Sequence, residues 1–228
     1  MHQGHSRRWI GGGDLRVKAF IFDLDGVIVF TDKFHYLAWK EVADEQGLYF
    51  DETMNNLLRG VSRADSLDII LRENHKELPQ EVKDELLVKK QAIYRAHLET
   101  MTRDDVTQEV RDTLAELRRR GYKLSLGSSS KNAAFILEKV ELKDAFDAIS
   151  DGNNITRSKP DPEVFLKGAE FLGVSPAECA VVEDAYAGID AAKAGGMTAI
   201  GIGDAASYEK SDYVIETFAD LLKIGTGI

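Results

Sequence analysis

The strongest constraint on the fold is a run of alternating strand and helix signals in the second half of the chain. A helix is expected near Glu109–Arg120 and stops at Gly121, a C-terminal signal. Strand Tyr122–Leu126, loop Gly127–Ser130 and helix Asn132–Val140 follow. Strand Phe146–Ile149, helix Pro162–Leu172, strand Ala180–Glu183, helix Ala187–Ala194 and strand Thr198–Ile202 complete the series. Repeated strand–helix units call for a parallel sheet covered by helices on both faces.

One further strand belongs to this series but stands apart from it. Val17-Lys18-Ala19-Phe20-Ile21-Phe22 is a short apolar run that ends at Asp23, Asp25 and Gly26, the pattern of a buried parallel strand. A long helical stretch, about Lys33 to Met101, separates it from the rest, with breaks at Gly47, Gly60 and Pro79. Within its last helix, Val82, Leu86, Leu87, Ile93, Tyr94, His97, Leu98 and Met101 recur every three or four residues, as on an amphipathic helix. The economical arrangement is an α/β fold: a Rossmann-like parallel-sheet core, residues 15–31 and 102–228, with a helical cap domain, residues 32–101, inserted after the first strand. Residues 1–14, with Gly11-Gly12-Gly13, are expected to be a flexible tail.

Composition removes several classes of function. The chain has 228 residues, 43% of them hydrophobic, so it can bury a substantial core. A formal charge of −10 argues against a general nucleic-acid binder. It leaves open a phosphorylated small molecule, since a local cation or bound metal can reverse the field within one cleft. The single Cys179 rules out an intramolecular disulfide and fits a reducing, cytoplasmic setting. No apolar stretch of about 18 residues offers a membrane span. Arg7-Arg8 is not followed by an apolar segment, so no export signal is expected. An acidic chain without an exposed apolar stripe is expected to be a monomer with a small-molecule partner.

Ligands of parallel sheets bind beyond the carboxyl ends of the strands, and the residues expected there are chemically uncommon. They include Asp23 and Asp25 after the first strand, Ser128, Ser129 and Ser130 after the next, Lys159 before the Pro162 helix, and Glu183 and Asp184 after a later strand. Each taken alone could cap a turn. Four carboxylates aimed at one edge, however, repel one another unless a cation neutralises them. The natural partner is a hard ion with oxygen ligands, and Mg2+ is the usual one where phosphate is also bound. Held by Asp23 and Asp184, it would leave room for phosphate oxygens, with Lys159 as a second positive charge. Such a site suits phosphoryl transfer, which depends mainly on positioning and charge neutralisation.

Phe22-Asp23-Leu24-Asp25-Gly26-Val27 resembles the first signature of the haloacid dehalogenase superfamily. Leu126-Gly127-Ser128-Ser129-Ser130, Ser158-Lys159-Pro160-Asp161-Pro162 and Val182-Glu183-Asp184 resemble its second, third and fourth motifs, in order. The resemblance implies that Asp23 is a nucleophile forming an aspartyl phosphate. It makes Asp25 the general acid/base, whose backbone carbonyl also serves Mg2+. Ser128 would hold the transferring phosphoryl group, Lys159 would neutralise it, and Glu183 and Asp184 would complete the metal site. An Asp at the second position also favours a phosphotransfer enzyme over a dehalogenase.

Within that superfamily, His35-Tyr36-Leu37-Ala38-Trp39-Lys40, Arg59-Gly60-Val61-Ser62-Arg63 and Ser128-Ser129-Ser130-Lys131-Asn132 resemble the β-phosphoglucomutase family. That family interconverts β-D-glucose 1-phosphate and glucose 6-phosphate through a bisphosphate intermediate. The resemblance implies a second anion pocket, made by Arg63 with Ser130, Lys131 and Asn132 at a helix start, for the distal phosphate. It places Lys90 near the sugar and His35 where a hinge-region histidine orients the acid/base. Trp39, Gly60, Val61 and Ser129 become further candidate substrate contacts. Two positions depart from the family pattern: Phe30 replaces an acidic residue before Thr31, and Thr107-Gln108-Glu109 replaces a Pro-Gly turn. A sugar-phosphate phosphatase on the same scaffold is the main alternative. A catalytically silent phosphosugar binder is another, although it would have no need of both Asp23 and Asp25.

Overall fold

The structure, a computed structural model, describes residues 8–9, 15–59 and 61–223. Gly60 and most of the expected tail lie outside those residues. The chain divides into two compact units, one of residues 1–30 and 102–228, the other spanning Thr31–Met101.

The first unit is built on one parallel sheet. Its strands are β1 (Arg8–Trp9), β2 (Ala19–Phe22), β3 (Lys123–Gly127), β4 (Ala148–Ser150), β5 (Cys179–Glu183), β6 (Thr198–Gly201) and β7 (Tyr213–Val214), in the order β1-β7-β6-β5-β2-β3-β4. Every pairing is parallel. From β2 the chain first adds β3 and β4 on one side, then returns to add β5, β6 and β7 on the other. The direction of winding therefore reverses between β2 and β5, where an α/β sheet opens a crevice at its carboxyl edge.

Both faces of the sheet are covered, which explains why the central strand β2 is apolar throughout. In β2 all four residues are buried. Ile21 packs with Val181, Phe165 and Ile189 on one face. Phe20 and Phe22, pointing the other way by the period of two, meet Tyr122, Phe146 and Phe218.

The observed strands begin or end within two residues of the expected ones. The short pair β1 and β7 is new: two-residue strands carry no periodicity to read, and β1 falls inside the segment expected to be a tail.

Among its described residues the second unit has the α-helices α1 (Asp32–Glu45), α2 (Glu52–Asn56), α3 (Arg63–Glu73) and α4 (Gln80–Glu99). Gly47 takes a left-handed φ of 62° after α1, and Pro79 caps α4, so both expected breaks interrupt the helices. Trp39, Val42, Leu67, Ile70 and Leu86 form the core of this unit. The α/β unit supplies α5 (Gln108–Arg119), α6 (Ala133–Lys139), α7 (Glu163–Leu172) and α8 (Tyr186–Ala194). Of these, α7 carries Phe165 and α8 carries Ile189, both in one core cluster with Ile21. No helix among the described residues is long and apolar enough to cross a membrane.

Candidate active site

Asp23 and Glu183 meet because β2 and β5 are neighbours in register, with Phe22 opposite Val182. The Asp23 amide donates to the Val182 carbonyl at 3.0 Å, so the ladder extends past the strand and holds the Asp23 backbone. Asp23, Glu183 and Asp184 bring one carboxylate oxygen each to within 4.8 Å of one another. Asp25 lies in the turn after β2, where it bridges Val29. Its side chain is not part of the trio.

Two glycines make room for this crowding. A Cβ on Gly26 would come within 2.0 Å of Asp184 Oδ2, and its φ of +87° is one that side-chain-bearing residues rarely adopt. A Cβ on Gly188 would come within 2.0 Å of the Glu183 carboxyl carbon, so the first turn of α8 can close over that side chain. The Ala185 amide donates to Glu183 Oε2 at 2.9 Å.

Lys159 crosses the cluster. Its Nζ donates to Asp23 Oδ1 at 2.7 Å and to Glu183 Oε1 at 2.6 Å. Burial pulls the pKa of this amine down, but Asp23 and then Glu183 outweigh it and hold the lysine protonated. The loop that presents it is braced by Glu163, which accepts from the amides of Thr156 at 3.1 Å and Arg157 at 2.8 Å. Burial pushes the Glu183 carboxyl up, and the Asp23 charge adds to this against the pull of Lys159.

Asp184 is pushed up to about 8, first by burial and then by Glu183, Asp23 and Asp25. Glu183 and Asp184 are both raised, because buried carboxylates this close share too little positive charge. Oxygen donors so close together, with Asp184 held back from ionising, fit a hard divalent cation.

The loop after β3 lies in the same unit. Ser128 is buried, and its Oγ accepts from the Ser130 amide at 3.1 Å. Ser130 Oγ accepts from the Asn132 amide at 3.1 Å. Ser129 and Lys131 are exposed. Helix α6 has only seven residues, so the expected anion site depends on the loop's own polar groups more than on a helix dipole.

His35, Trp39, Val61, Arg63 and Lys90 belong to the helical unit. Arg63 is exposed at the start of α3, whose N-cap Ser62 accepts from the Asp65 amide at 3.2 Å. Lys90 is buried, although it stands beside Lys89 in a charged stretch. The buried residues of α4 are Leu86, Lys90, Tyr94 and Leu98, spaced by four. That stripe is visible in the sequence, and it identifies Lys90 as inward-facing. Its Nζ lies 2.9 Å from His35 Nδ1, 4.7 Å from the Tyr94 ring and 5.2 Å from the Trp39 ring. His35 in turn stacks on Tyr94 at 4.1 Å. Burial, then the nearby Arg63 charge, lower Lys90 to about 7. Burial, then Lys90, lower His35 to about 3, so its ring is neutral and can accept from the lysine.

A parallel sheet with paired acidic strand ends, crossed by one lysine, defines a haloacid dehalogenase-like hydrolase, and that family matches residues 17–196. Among relatives, a β-phosphoglucomutase of Bacillus subtilis is 41% identical over 90% of this chain and 92% of its own. The chain belongs to the β-phosphoglucomutase branch of that enzyme family. It is also 31% identical to a fructose-1-phosphate phosphatase of Escherichia coli, over 82% of this chain and 97% of that one. A crystal structure of β-phosphoglucomutase from Clostridium difficile superposes with a TM-score of 0.82 at 36% identity, covering 90% of this chain and 93% of that one.

Proposed function

We propose that this chain is a Mg2+-dependent β-phosphoglucomutase, interconverting β-D-glucose 1-phosphate and glucose 6-phosphate through β-glucose 1,6-bisphosphate. The observation that carries this reading is Lys159 bonded to both Asp23 and Glu183 beside Asp184, in a chain so similar to the Bacillus enzyme. Asp23, Glu183 and Asp184, with the Asp25 carbonyl, would hold the Mg2+, which supplies positive charge against the phosphoryl oxygens.

The protein's own groups perform the transfer. An Asp23 carboxylate oxygen attacks the phosphorus of the bisphosphate, and the bond from phosphorus to the sugar oxygen breaks. Asp25 gives its proton to that departing oxygen. Glucose 6-phosphate leaves and β-glucose 1-phosphate takes its place. Asp25 takes the proton of its C6 hydroxyl, which attacks the phosphorus of the aspartyl phosphate and releases Asp23, and the bisphosphate so formed turns around for the next cycle. Lys159 balances charge on the phosphoryl group throughout. Because Ser128 Oγ already accepts from the Ser130 amide, its own proton points elsewhere and can reach a phosphoryl oxygen. Arg63, Ser130, Lys131 and Asn132 bind the distal phosphate, and His35, Trp39, Val61 and Lys90 serve the sugar side.

The likeness to the Escherichia coli phosphatase supports a second reading, in which water attacks the aspartyl phosphate. One assay separates the two: β-glucose 1-phosphate with Mg2+ and a trace of bisphosphate, scored for glucose 6-phosphate and for free phosphate. The mutase reading expects glucose 6-phosphate in clear excess. Free phosphate without glucose 6-phosphate overturns it in favour of the phosphatase. Arg63→Ala should then lower the ratio of glucose 6-phosphate to free phosphate, because the distal contact that favours transfer over hydrolysis is lost.

A further inference from the structure

We propose that Gly152 and Asn153, in the loop after β4, are positioning residues that hold the Ser130–Asn132 segment in its phosphate-binding place. This deepens the proposed function, since it rests on the phosphate role given there to Ser130, Lys131 and Asn132.

Strands β3 and β4 pair as far as Gly127 opposite Ser150, at the end of the sheet. The ladder then continues into the two loops: the Ser128 amide donates to the Ser150 carbonyl at 3.0 Å, and the Gly152 amide donates to the Ser130 carbonyl at 3.1 Å. Asn153 adds a third rung, its Nδ2 donating to the Lys131 carbonyl at 3.1 Å. Ser128 is thus tied to the end of β4, and the backbone carbonyls of Ser130 and Lys131 to the loop that follows it.

The bonds within the segment are local serine turns, from the Ser130 amide to Ser128 Oγ and from the Asn132 amide to Ser130 Oγ. They shape the segment but do not locate it on the sheet. The neighbouring loop can locate it because it is itself locked. Asp151 is buried, and its Oδ1 accepts from the Asn153 amide at 2.8 Å. Asn154 Oδ1 accepts from the Asp151 amide at 3.1 Å.

Gly152 supplies the room for this close approach. A Cβ there would lie 2.4 Å from the Ser129 carbonyl oxygen and 2.9 Å from the Lys131 nitrogen. Both are backbone atoms, so no side-chain rotation can relieve the clash. Any side chain at this position displaces the very segment that would receive the distal phosphate. A misplacement of that kind falls on binding of the second phosphate, because Asp23, Glu183 and Asp184 stand at the ends of β2 and β5 and the far end of the loop, which carries Lys159, is braced separately by Glu163.

The test compares wild type with Gly152→Ala, Asn153→Ala and Asn153→Gln. Three readouts are taken: KM for β-glucose 1,6-bisphosphate, kcat/KM for acetyl phosphate hydrolysis, and hydrogen exchange of the Ser128, Ser130 and Asn132 amides. Gly152→Ala should raise the bisphosphate KM about tenfold and speed that exchange, while acetyl phosphate, which has no distal phosphate, changes by less than about twofold. Asn153→Ala should raise the same KM about threefold, and Asn153→Gln, which keeps the amide donor, should recover part of the loss. Unchanged KM and exchange in both alanine variants overturn the proposal, as does a parallel fall in both substrates. If Gly152→Ala fails to fold, the Asn153 pair decides by the same criteria. A wild type that does not turn over the bisphosphate defeats the mutase reading alone. The exchange data then decide the positioning role.

Discussion

Lys159 in the α/β unit and Lys90 in the helical unit are both largely removed from water, yet they meet the cost in opposite ways. Lys159 touches Asp23 and Glu183 directly and keeps its proton. Lys90 is surrounded by the rings of Trp39 and Tyr94 and the neutral imidazole of His35, with Arg63 near enough to repel it, and it titrates at about 7. The ammonium group is the same in both places. What differs is whether a carboxylate or a π-face and a ring nitrogen stand opposite it. An ion pair can repay desolvation, whereas a cation–π contact and a neutral acceptor repay it only in part. One lysine is therefore a permanent charge among carboxylates, at the proposed phosphoryl site, and the other is an amine whose charge follows pH near neutrality.

The largest effect should come from emptying the carboxylate side. Asp23→Asn keeps the shape of the site but removes the proposed nucleophile, and turnover should fall at least about a thousandfold. Retention of more than about a tenth of the activity in purified protein would show that Asp23 is not the attacking group.

Next, the two lysines should respond oppositely to the same substitution. Lys159→Met leaves Asp23 and Glu183 facing each other unpaired, which should cost about 3 kcal/mol or more of folding stability with divalent ions chelated. Lys90→Met replaces a poorly compensated buried charge by a chain of similar size, and stability at pH 7 should hold or rise. Urea denaturation of the two variants in one buffer checks both. Equal losses would mean that the two lysines are not differently compensated.

The pH dependence probes the same difference. Lys90 titrates at about 7 in the folded chain, below its ordinary 10.5. Between those values the unfolded chain binds a proton that the native one lacks, so stability due to Lys90 rises as pH goes from about 7 toward 10.5. His35, lowered from 6.5 to about 3, acts in the same sense at lower pH: its contribution is present above 6.5 and is lost as pH falls toward 3. A tenfold change in proton affinity between the folded and unfolded chain corresponds to about 1.4 kcal/mol. The decisive quantity is the stability difference between wild type and Lys90→Met across the alkaline window. Taking that difference cancels other groups titrating there, such as Cys179, whose thiol burial raises to about 11. A difference that does not change with pH would mean that Lys90 stays charged when buried.

The smallest effect concerns Ser150, at the end of β4. Among the described residues, its Oγ is a buried side-chain atom without a hydrogen-bond partner. Ser150→Ala removes a desolvated hydroxyl that gains nothing in return, and stability should change by less than about 0.5 kcal/mol. A loss above about 1 kcal/mol in thermal unfolding would reveal a bond that this hydroxyl makes in solution.

Much of the architecture was legible because its signals are local. An apolar run that ends abruptly in charge, as at Phe22-Asp23 or Val182-Glu183, announces both a buried strand and a functional strand end within a few residues. The spacing of Leu86, Lys90, Tyr94 and Leu98 already marks Lys90 as inward-facing, though its neighbour Lys89 obscures the signal. Strands β1 and β7 were not legible, because two residues form no pattern and only a neighbouring strand defines them.

Which segments become strands and helices, and which reactive side chains stand at their ends, is written in the chain read a few residues at a time. Hydrophobic periodicity and turn chemistry act over that range, and nothing distant is needed to read them. Folding in three dimensions was required to place β2 beside β5, which brings Asp23 against Glu183 and Asp184, and to carry Lys159 across to join them. It was equally required to desolvate Lys90 among rings and to press Gly152 so close to Ser129 that a side chain has no room. Strand order, desolvation and close backbone approach all depend on residues far apart in the chain, and the electrostatics of both lysines follow from them.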